Sequence, residues 1–456
     1  MAEQKITIGA VDWRALLPFT HVFRAFRIAI HPTKLILAVA AILLMYLGGR
    51  GLDLVWPQRF IQQGFEQRST LLERLYTTKP TPPPFAAFLH EQMTNVNSGV
   101  ASMLRLDMGF GLNLGLGAWT YRFVVATPLA YWQANQVYFT LLFGWFLIVM
   151  ALFGGAITRI AAVQVARDEQ VSMRHALRFA WGKLPSFFGA PLIPLALIAL
   201  IGMLMSLVGL LLYLPAGLGP LVIGALLIVF FAVGVFLAML IVGAVIGSSM
   251  MFPTIAVEAS DAFDATSRAY SYVIGAPWRL LIYSIIATVY GAITYLFVKL
   301  FVFLVLATSR FFLCWWLFGN ARDRWDIIWP APTMTSLAYS PNWAFLQGIE
   351  PAAAGVTCFW VYLFISLLGA YAISFYFSSN TIIYYLLRRH VDATEMDEVF
   401  MQVQDDDLVE VPEPDDPAAL IPPQPHAPES RQPTATESTD PPMPPKSSAP
   451  QTPQGE

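Results

Sequence analysis

The fold of this chain is decided by residues 192–252, which read LIPLALIALIGMLMSLVGLLLYLPAGLGPLVIGALLIVFFAVGVFLAMLIVGAVIGSSMMF. The hydrocarbon core of a bilayer is about 30 Å thick and needs roughly 20 apolar residues per crossing helix, so this stretch is too long for one helix. The motif LPAG at 214–217 and the following Gly219-Pro220 interrupt it where a tight turn is required. The sequence therefore predicts a hairpin of two crossing helices, 187–213 and 218–251.

The whole chain has the composition of a protein that is solvated mostly by lipid. Its 456 residues are 56% apolar and 12% charged, and the mean hydropathy is +0.57. Further apolar runs that can cross a membrane lie at about 35–50, 137–160, 280–312 and 356–387. We therefore predict an all-α integral membrane protein with six transmembrane helices.

Three stretches of the chain, 23–47, 161–213 and 254–306, share one plan. In each, a short amphipathic segment comes first, a proline follows, and a long apolar run begins; the prolines are Pro32, Pro185 and Pro277. Proline is excluded from a helix interior but accepted in the first turn, so it marks a corner between two helices. The sequence predicts three parallel units, each an interfacial amphipathic helix plus a helical hairpin.

Basic residues predict the orientation of the chain in the membrane, because they favour the cytoplasmic side. They precede the first crossing and follow the second and sixth; the residues are Arg24, Arg27, Lys34, Arg167, Arg174, Arg178, Lys183, Arg388 and Arg389. The amino terminus lacks a clear signal-peptide cleavage site and is expected to be retained. We predict a multi-pass protein of a bacterial cytoplasmic membrane with both termini in the cytoplasm. Residues 1–34 form a cytoplasmic N-terminus with an amphipathic helix, and 35–389 form the polytopic domain.

Residues 390–456 are predicted to be a disordered, acidic, proline-rich cytoplasmic tail. Residues 392–456 hold 15 of the 30 acidic residues and two basic ones, whereas the chain up to Val391 is formally +10. The positive body suits anionic lipids at the cytoplasmic face. Two interpretations of the tail remain open: a solubilising segment, or a docking arm for a cytoplasmic protein. The sequence contains nothing that indicates a nucleic-acid partner.

Two stretches of sequence carry a resemblance to known proteins. The first is FPTIAVEASDAFDA at 252–265, followed by SRAY at 267–270 and PWR at 277–279; the second is TIIYYLLRR at 381–389 with VDATEMDEV at 391–399. They resemble a group of uncharacterised bacterial polytopic membrane proteins of planctomycete type, distantly similar to the membrane domain attached to some glycerophosphodiester phosphodiesterases. The likeness spans about 20–50 and 140–400 and implies a fold rather than a reaction. The phosphodiesterase barrel needs about 250 residues, and no stretch of this chain provides them.

Two segments are predicted to lie on the outer side. The insertion 51–136 has two amphipathic patterns, 60–76 and 85–96, and then a glycine-punctuated stretch that favours a flexible or membrane-skimming loop over a phosphate site. The loop 313–351 is rich in tryptophan. Because tryptophan favours the headgroup level, the loop is interpreted as an interfacial cap, with a ligand-stacking groove as the alternative.

Charged residues inside apolar runs are the usual indicators of function in membrane proteins. Lys299 lies within the fifth run and Arg310 near its outer end, beside Trp315 and Trp316. These four residues are candidate contacts for an anion or a lipid, and snorkelling of Lys299 towards the interface is the alternative. In the fourth run, Gly243 and Gly247 form a small-xxx-small motif that predicts close helix packing, within this chain or in a dimer.

Two other groups of residues are candidates for special roles. Cys314 and Cys358 flank the outer loop, where they form either a disulfide or two free thiols. A cytoplasmic interfacial motif contains Glu258, Asp261, Asp264 and Arg268. Asp264 and Arg268 lie four residues apart on one helical face, and such an exposed pair contributes about 0.3–0.5 kcal/mol.

The sequence contains no pattern that specifies a reaction. The six histidines form no metal-ligand pair at helical spacing, and no serine lies in a nucleophile-elbow motif. We therefore assign no catalytic, cofactor-binding or metal-ligating residue and expect no cofactor. The expected function is that of a non-enzymatic component in assembly, trafficking or lipid handling. The alternative is a transporter or permease-like subunit for a small or amphiphilic solute.

Overall fold

The computed structural model describes residues 18–56, 83–105, 116–215, 218–334, 337, 339, 341 and 343–400. These residues form helices joined by short turns, and they contain no β-strand. Six helices are long and apolar enough to cross a membrane, by length and composition. The prediction of an all-α, six-crossing membrane protein is therefore confirmed. Two amphipathic helices were predicted in the insertion 51–136. The one at 85–96 is helical, and the one at 60–76 lies outside the described residues.

The helices are numbered here in chain order. A 3-10 turn at Pro18–Phe23 precedes α1 (Arg24–Ala29). The first half of the chain continues with α2 (Pro32–Val55), α3 (Pro84–Leu104), α4 (Leu116–Tyr121), α5 (Thr127–Ala134), α6 (Gln136–Val149), α7 (Gly155–Arg167), α8 (Met173–Gly182) and α9 (Leu184–Gly209). The second half contains α10 (Leu218–Glu258), α11 (Ala262–Gly275), α12 (Pro277–Leu313), α13 (Asn320–Ile328) and α14 (Glu350–Val391). Short π-helical turns at Arg122–Ala126 and Met150–Gly154 join α4 to α5 and α6 to α7.

The order of the helices confirms the three predicted units. The units are α1, α2 and α6–α7; then α8, α9 and α10; then α11, α12 and α14. Each short helix is followed by a crossing helix whose first turn contains proline, namely α2, α9 and α12. The proline corner therefore separates the two helices in every unit, as its missing N–H and fixed φ predict.

Several crossing helices are longer than a bilayer requires. Helices α10, α12 and α14 contain 41, 37 and 42 residues. At 1.5 Å per residue these lengths are about 55–63 Å, against a hydrocarbon core of about 30 Å. In α10 and α14 the buried residues concentrate towards the C-terminal end, at 250–257 and 370–387. By contrast, no residue is buried in the most apolar windows of α9 and α10. The chain thus has a lipid-facing part and a packed layer built from helix ends.

The short helices complete this packed layer. Val22, Ala25 and Ile28 from the first unit, Phe179 from α8, and Ala269 from α11 are buried in one cluster with the ends of α10 and α14. Their apolar faces are therefore covered by protein. Each unit also leaves one or two large aromatic side chains exposed near its short helix; these are Phe23, Trp181, Phe263 and Trp278.

The small-xxx-small motif of α10 packs within the chain, as one of its two interpretations predicted. A Cβ atom on Gly243 would lie 2.2 Å from a ring carbon of Tyr270 on α11, and one on Gly247 would lie 3.5 Å from the Ala269 Cβ. The Tyr270 hydroxyl donates to the Leu240 carbonyl at 2.7 Å. The absence of a side chain at Gly243 therefore permits α11 to dock on α10.

The two segments that were predicted to lie on the outer side pack on the ends of the crossing helices. Phe85 and Phe88 of α3 join Tyr138 and Phe139 in a buried aromatic cluster. The Asp53 carboxylate at the end of α2 accepts from the Tyr138 hydroxyl at 2.7 Å. In the tryptophan-rich loop, the Arg324 side chain forms an ion pair of 2.8 Å with Glu350. Both segments are thus held by polar contacts as well as by apolar packing.

The predicted start of the tail at residue 390 is wrong for its first residues. The chain from 391 to 400 contacts the packed layer, and Met396 and Val399 lie against its apolar cluster. Its acidic composition concealed these contacts, because charge and proline content mark a disordered segment only in bulk. The remaining tail, 401–456, lies outside the described residues, and so does its predicted disorder.

A pair of glycine substitutions tests the docking of α11. We expect Gly243→Ala to lower the thermal unfolding temperature, because the new methyl group overlaps the Tyr270 ring. Gly234→Ala is the matched control, since a Cβ atom there meets nothing within 4 Å. Removing a helical glycine favours folding by roughly 0.5–1 kcal/mol, so the control should be neutral or stabilising. Equal unfolding temperatures for the two variants in detergent would contradict the packing.

Candidate functional site

Glu258, the last residue of α10, is the centre of a polar cluster that joins three helices. Its carboxylate is 2.7 Å from an Arg268 guanidinium nitrogen on α11 and 3.2 Å from the Arg388 Nε on α14. The Tyr384 hydroxyl donates to the same carboxylate at 2.6 Å. The Glu258 side chain is only 13% exposed. A carboxylate in such a position is stable only when its charge and lone pairs are matched, as they are here.

The local sequence explains why these groups meet. Ala259 has a φ of +54°, which closes α10 with a left-handed residue and reverses the chain. The Asp261 side chain then accepts from the Asp264 backbone N–H at 2.8 Å and caps α11. One turn later, the Asp264 carboxylate binds Arg268 at 3.1 Å. The predicted interfacial motif is thus brought together, with Asp261 acting as a helix cap.

A return segment, residues 392–400, closes over this cluster. The Tyr272 hydroxyl of α11 donates to the Asp392 carboxylate at 2.5 Å. Burial and this hydrogen bond raise the pKa of Tyr272 above its ordinary value, so the phenol stays protonated and remains a donor. Arg388 donates to the Glu398 carbonyl at 2.8 Å. The Phe400 backbone N–H donates to the Val257 carbonyl at 2.8 Å, so the segment is bound at both of its ends.

Arg159 fastens the end of the return segment to the second crossing. It is 6% exposed, and its guanidinium donates to the carbonyls of Ala256 at 2.7 Å and Phe400 at 2.5 Å. The guanidinium also lies 4.5 Å from the centre of the Phe179 ring. A single side chain on α7 therefore connects α8, α10 and the return segment. Its position within an apolar run was a sequence signal that we missed.

Lys34 is the second buried cation that the sequence did not single out. It is 0% exposed at the start of α2, and its Nζ donates to the Gln164 Oε1 of α7 at 2.9 Å. In the sequence, Lys34 was interpreted only as one of the basic residues that precede the first crossing. The contact with a neutral amide orients the ammonium group and ties α2 to α7 within the first unit.

The predicted outer contacts, Lys299, Arg310, Trp315 and Trp316, do not converge on one site. Lys299 is buried within α12, and Arg310 lies eleven residues further along the helix, about 16 Å away. Arg310 forms an ion pair with Asp326 of α13. Trp315 and Trp316 lie just beyond α12 and are 54% and 80% exposed. Trp315 and Trp316 at the helix end suit an interfacial position, whereas Lys299 belongs to the interior of the bundle.

Cys314 and Cys358 are free thiols, so the disulfide alternative is not realised. The Tyr339 side chain of the tryptophan-rich loop hydrogen-bonds with Cys358. Tyr339 also donates to the Ile328 carbonyl, and Tyr362 of α14 donates to the Tyr339 carbonyl at 2.5 Å. The loop is therefore held on α14 by tyrosine hydroxyls.

No family model matches the chain, and it matches neither the curated proteins nor the solved structures with which it was compared.

Substitution of Glu258 tests whether the cluster stabilises the packed layer. We expect Glu258→Gln to lower the free energy of unfolding by about 2 kcal/mol or more, because it removes the nearer carboxylate of Arg388, which is 13% exposed. The Glu398 carboxylate, 3.6 Å from Arg388 and 61% exposed, compensates for little of that loss. Asp264→Asn is the control, because that ion pair is 43% exposed on both sides and should contribute less than about 1 kcal/mol. Thermal unfolding in detergent measures both. Equal losses would show that Glu258 has no special role.

Proposed function

We propose that this chain is a non-enzymatic, multi-pass component of a bacterial cytoplasmic membrane that acts in assembly, with both termini in the cytoplasm. The packed layer forms its cytoplasmic face and contacts anionic lipid. The tail after Phe400 recruits a soluble protein. The observation that carries the proposal is the binding of the return segment to three crossing helices through Arg159, Val257 and Arg388.

The return segment supports a recruiting role because it fixes the point from which the tail leaves the body. A solubilising tail needs no defined exit, whereas a docking arm is more effective when its origin is fixed. Beyond that point, 401–456 contain 11 acidic and two basic residues, and 14 prolines lie between 412 and 453. Such a composition favours recognition by a basic or aromatic-lined surface of a partner.

The exposed aromatic residues support the interfacial position of the short helices. Phe23, Trp181, Phe263 and Trp278 are 46%, 68%, 72% and 74% exposed. Each lies beside a short helix whose other face is buried in protein. Large aromatic side chains in such a position favour the level of the lipid headgroups.

Truncation tests the assembly role. A chain that ends at Phe400 keeps the return segment, so we expect its unfolding temperature to match that of the full chain while a soluble partner is lost. A chain that ends at Val391 should also unfold at a lower temperature. Native mass spectrometry of the gently extracted protein measures the bound partner at defined stoichiometry. A full-length Asp405/Asp406/Asp407→Asn variant tests whether the acidic run is the binding element.

One result of the truncation experiment would contradict the recruiting role. If the full chain and the chain ending at Phe400 carry the same proteins and differ only in solubility, the tail is a solubilising segment.

Site-directed labelling tests the orientation. In a Cys314→Ser/Cys358→Ser chain, we expect Trp316→Cys to react with a membrane-impermeant maleimide added outside intact cells. Phe263→Cys should react only after the cells are opened. Both positions are well exposed, at 80% and 72%, so access rather than burial decides the result. The reverse pattern would place the packed layer outside.

A transporter role is the second candidate, and the burial of Lys299 within a crossing helix favours it. Lys299 is 7% exposed, and ionisable groups inside membrane segments often line a substrate path. Lys299→Met keeps the length and removes the charge. Loss of a copurified small solute from this variant, with the partner of the tail retained, would support transport over assembly.

A further inference from the structure

Residues of the first amphipathic segment line a cleft with a volume of about 320 Å³. The residues that line it are Thr20, His21, Phe23, Arg24 and Arg27. On the opposite side of the same segment, Val22, Ala25 and Ile28 are buried in the packed layer. The core therefore holds the segment in place and turns its basic side chains towards the cleft. This volume has room for a headgroup phosphate together with several waters.

The cleft has an excess of positive charge. Among the residues that the structure describes, its lining contains two arginines and a histidine but no carboxylate. Arg24 forms an ion pair of 2.8 Å with Asp168 through one nitrogen, and that carboxylate is 74% exposed. A guanidinium carries five N–H donors, so the pair leaves donors of Arg24 available. Arg27 is exposed and forms no ion pair within the part of the chain that the structure describes.

Exposed apolar side chains flank the basic ones along the chain. Phe23, Ile30 and Ile36 are 46%, 40% and 58% exposed, and α2 begins between the last two at Pro32. A soluble anion gains nothing from such neighbours. A molecule with a phosphate at one end and hydrocarbon at the other contacts both kinds of residue at once, which favours an amphiphile.

We infer that this cleft binds the headgroup phosphate of an anionic phospholipid in the leaflet that contains α1. Arg27 and Arg24 donate charge-assisted hydrogen bonds to the phosphate oxygens, for which the planar guanidinium is well suited. The acyl chains lie along Ile30 and Ile36 at the start of α2. The inference rests on the proposed interfacial position of the short helices, and it adds to that proposal a defined site for the anionic lipid.

Lipid binding to the full chain tests this site. The detergent-solubilised protein is titrated with phosphatidylglycerol and, separately, with phosphatidylcholine, and bound lipids are counted by native mass spectrometry. We expect Arg24→Gln/Arg27→Gln to bind phosphatidylglycerol about tenfold more weakly, with phosphatidylcholine unchanged. Arg174→Gln/Arg178→Gln on α8 is the matched control, because it removes the same charge from another short helix at two exposed positions.

Three results would overturn the inference. The first is an equal loss of phosphatidylglycerol binding in the control variant, and the second is no loss in the cleft variant. The third is that inorganic phosphate competes as effectively as phosphatidylglycerol, which would indicate a site for free phosphate. Arg27→Gln alone keeps the test valid if the double variant does not fold, because Arg27 is exposed. All these variants retain residues 392–456, so retention of the partner of the tail is measured independently and the two proposals can fail separately.

Discussion

The packed layer depends on the carboxylate of Glu258. A negative charge at the C-terminal end of a helix is disfavoured by the helix dipole, so α10 alone would be destabilised by it. Arg268 and Arg388 lie 2.7 Å and 3.2 Å from the carboxylate and reverse that effect. Because the two arginines belong to α11 and α14, the charge that is unfavourable for one helix becomes the link among three. The return segment then covers the cluster, since Arg388 also binds Glu398.

The lengths of the helices explain why such a cluster exists. A bilayer uses only about half of a helix as long as α10 or α14, and the remainder has to satisfy its side chains elsewhere. Those ends pack on one another and on the short helices, whose apolar faces are buried with them. Each short helix therefore has two different faces. One is buried in the protein core, and the other carries exposed aromatic residues such as Trp181 and Phe263. The basic cleft beside α1 lies on the same short-helix framework.

The sequence predicted the crossings well and the cluster only in part, for physical reasons. Lipid fixes the length and apolarity of each crossing, and proline fixes its first turn, so both features are local. Asp261, Asp264 and Arg268 were also found locally, from their helical spacing. Arg159 was missed because its partners, the carbonyls of Ala256 and Phe400, lie 97 and 241 residues away. The return segment was assigned to the tail because its composition is polar, and its contacts depend on tertiary packing alone.

Hydrogen–deuterium exchange of the full-length protein in lipid nanodiscs tests the central claim most directly. The account predicts that the amide of Phe400, which donates to the Val257 carbonyl, and the peptide covering 392–400 exchange as slowly as the end of α10. Exchange of that peptide at the rate of an unstructured chain, with the end of α10 still protected, would contradict it. The tail would then have no fixed origin, and the main support for a recruiting role would be lost.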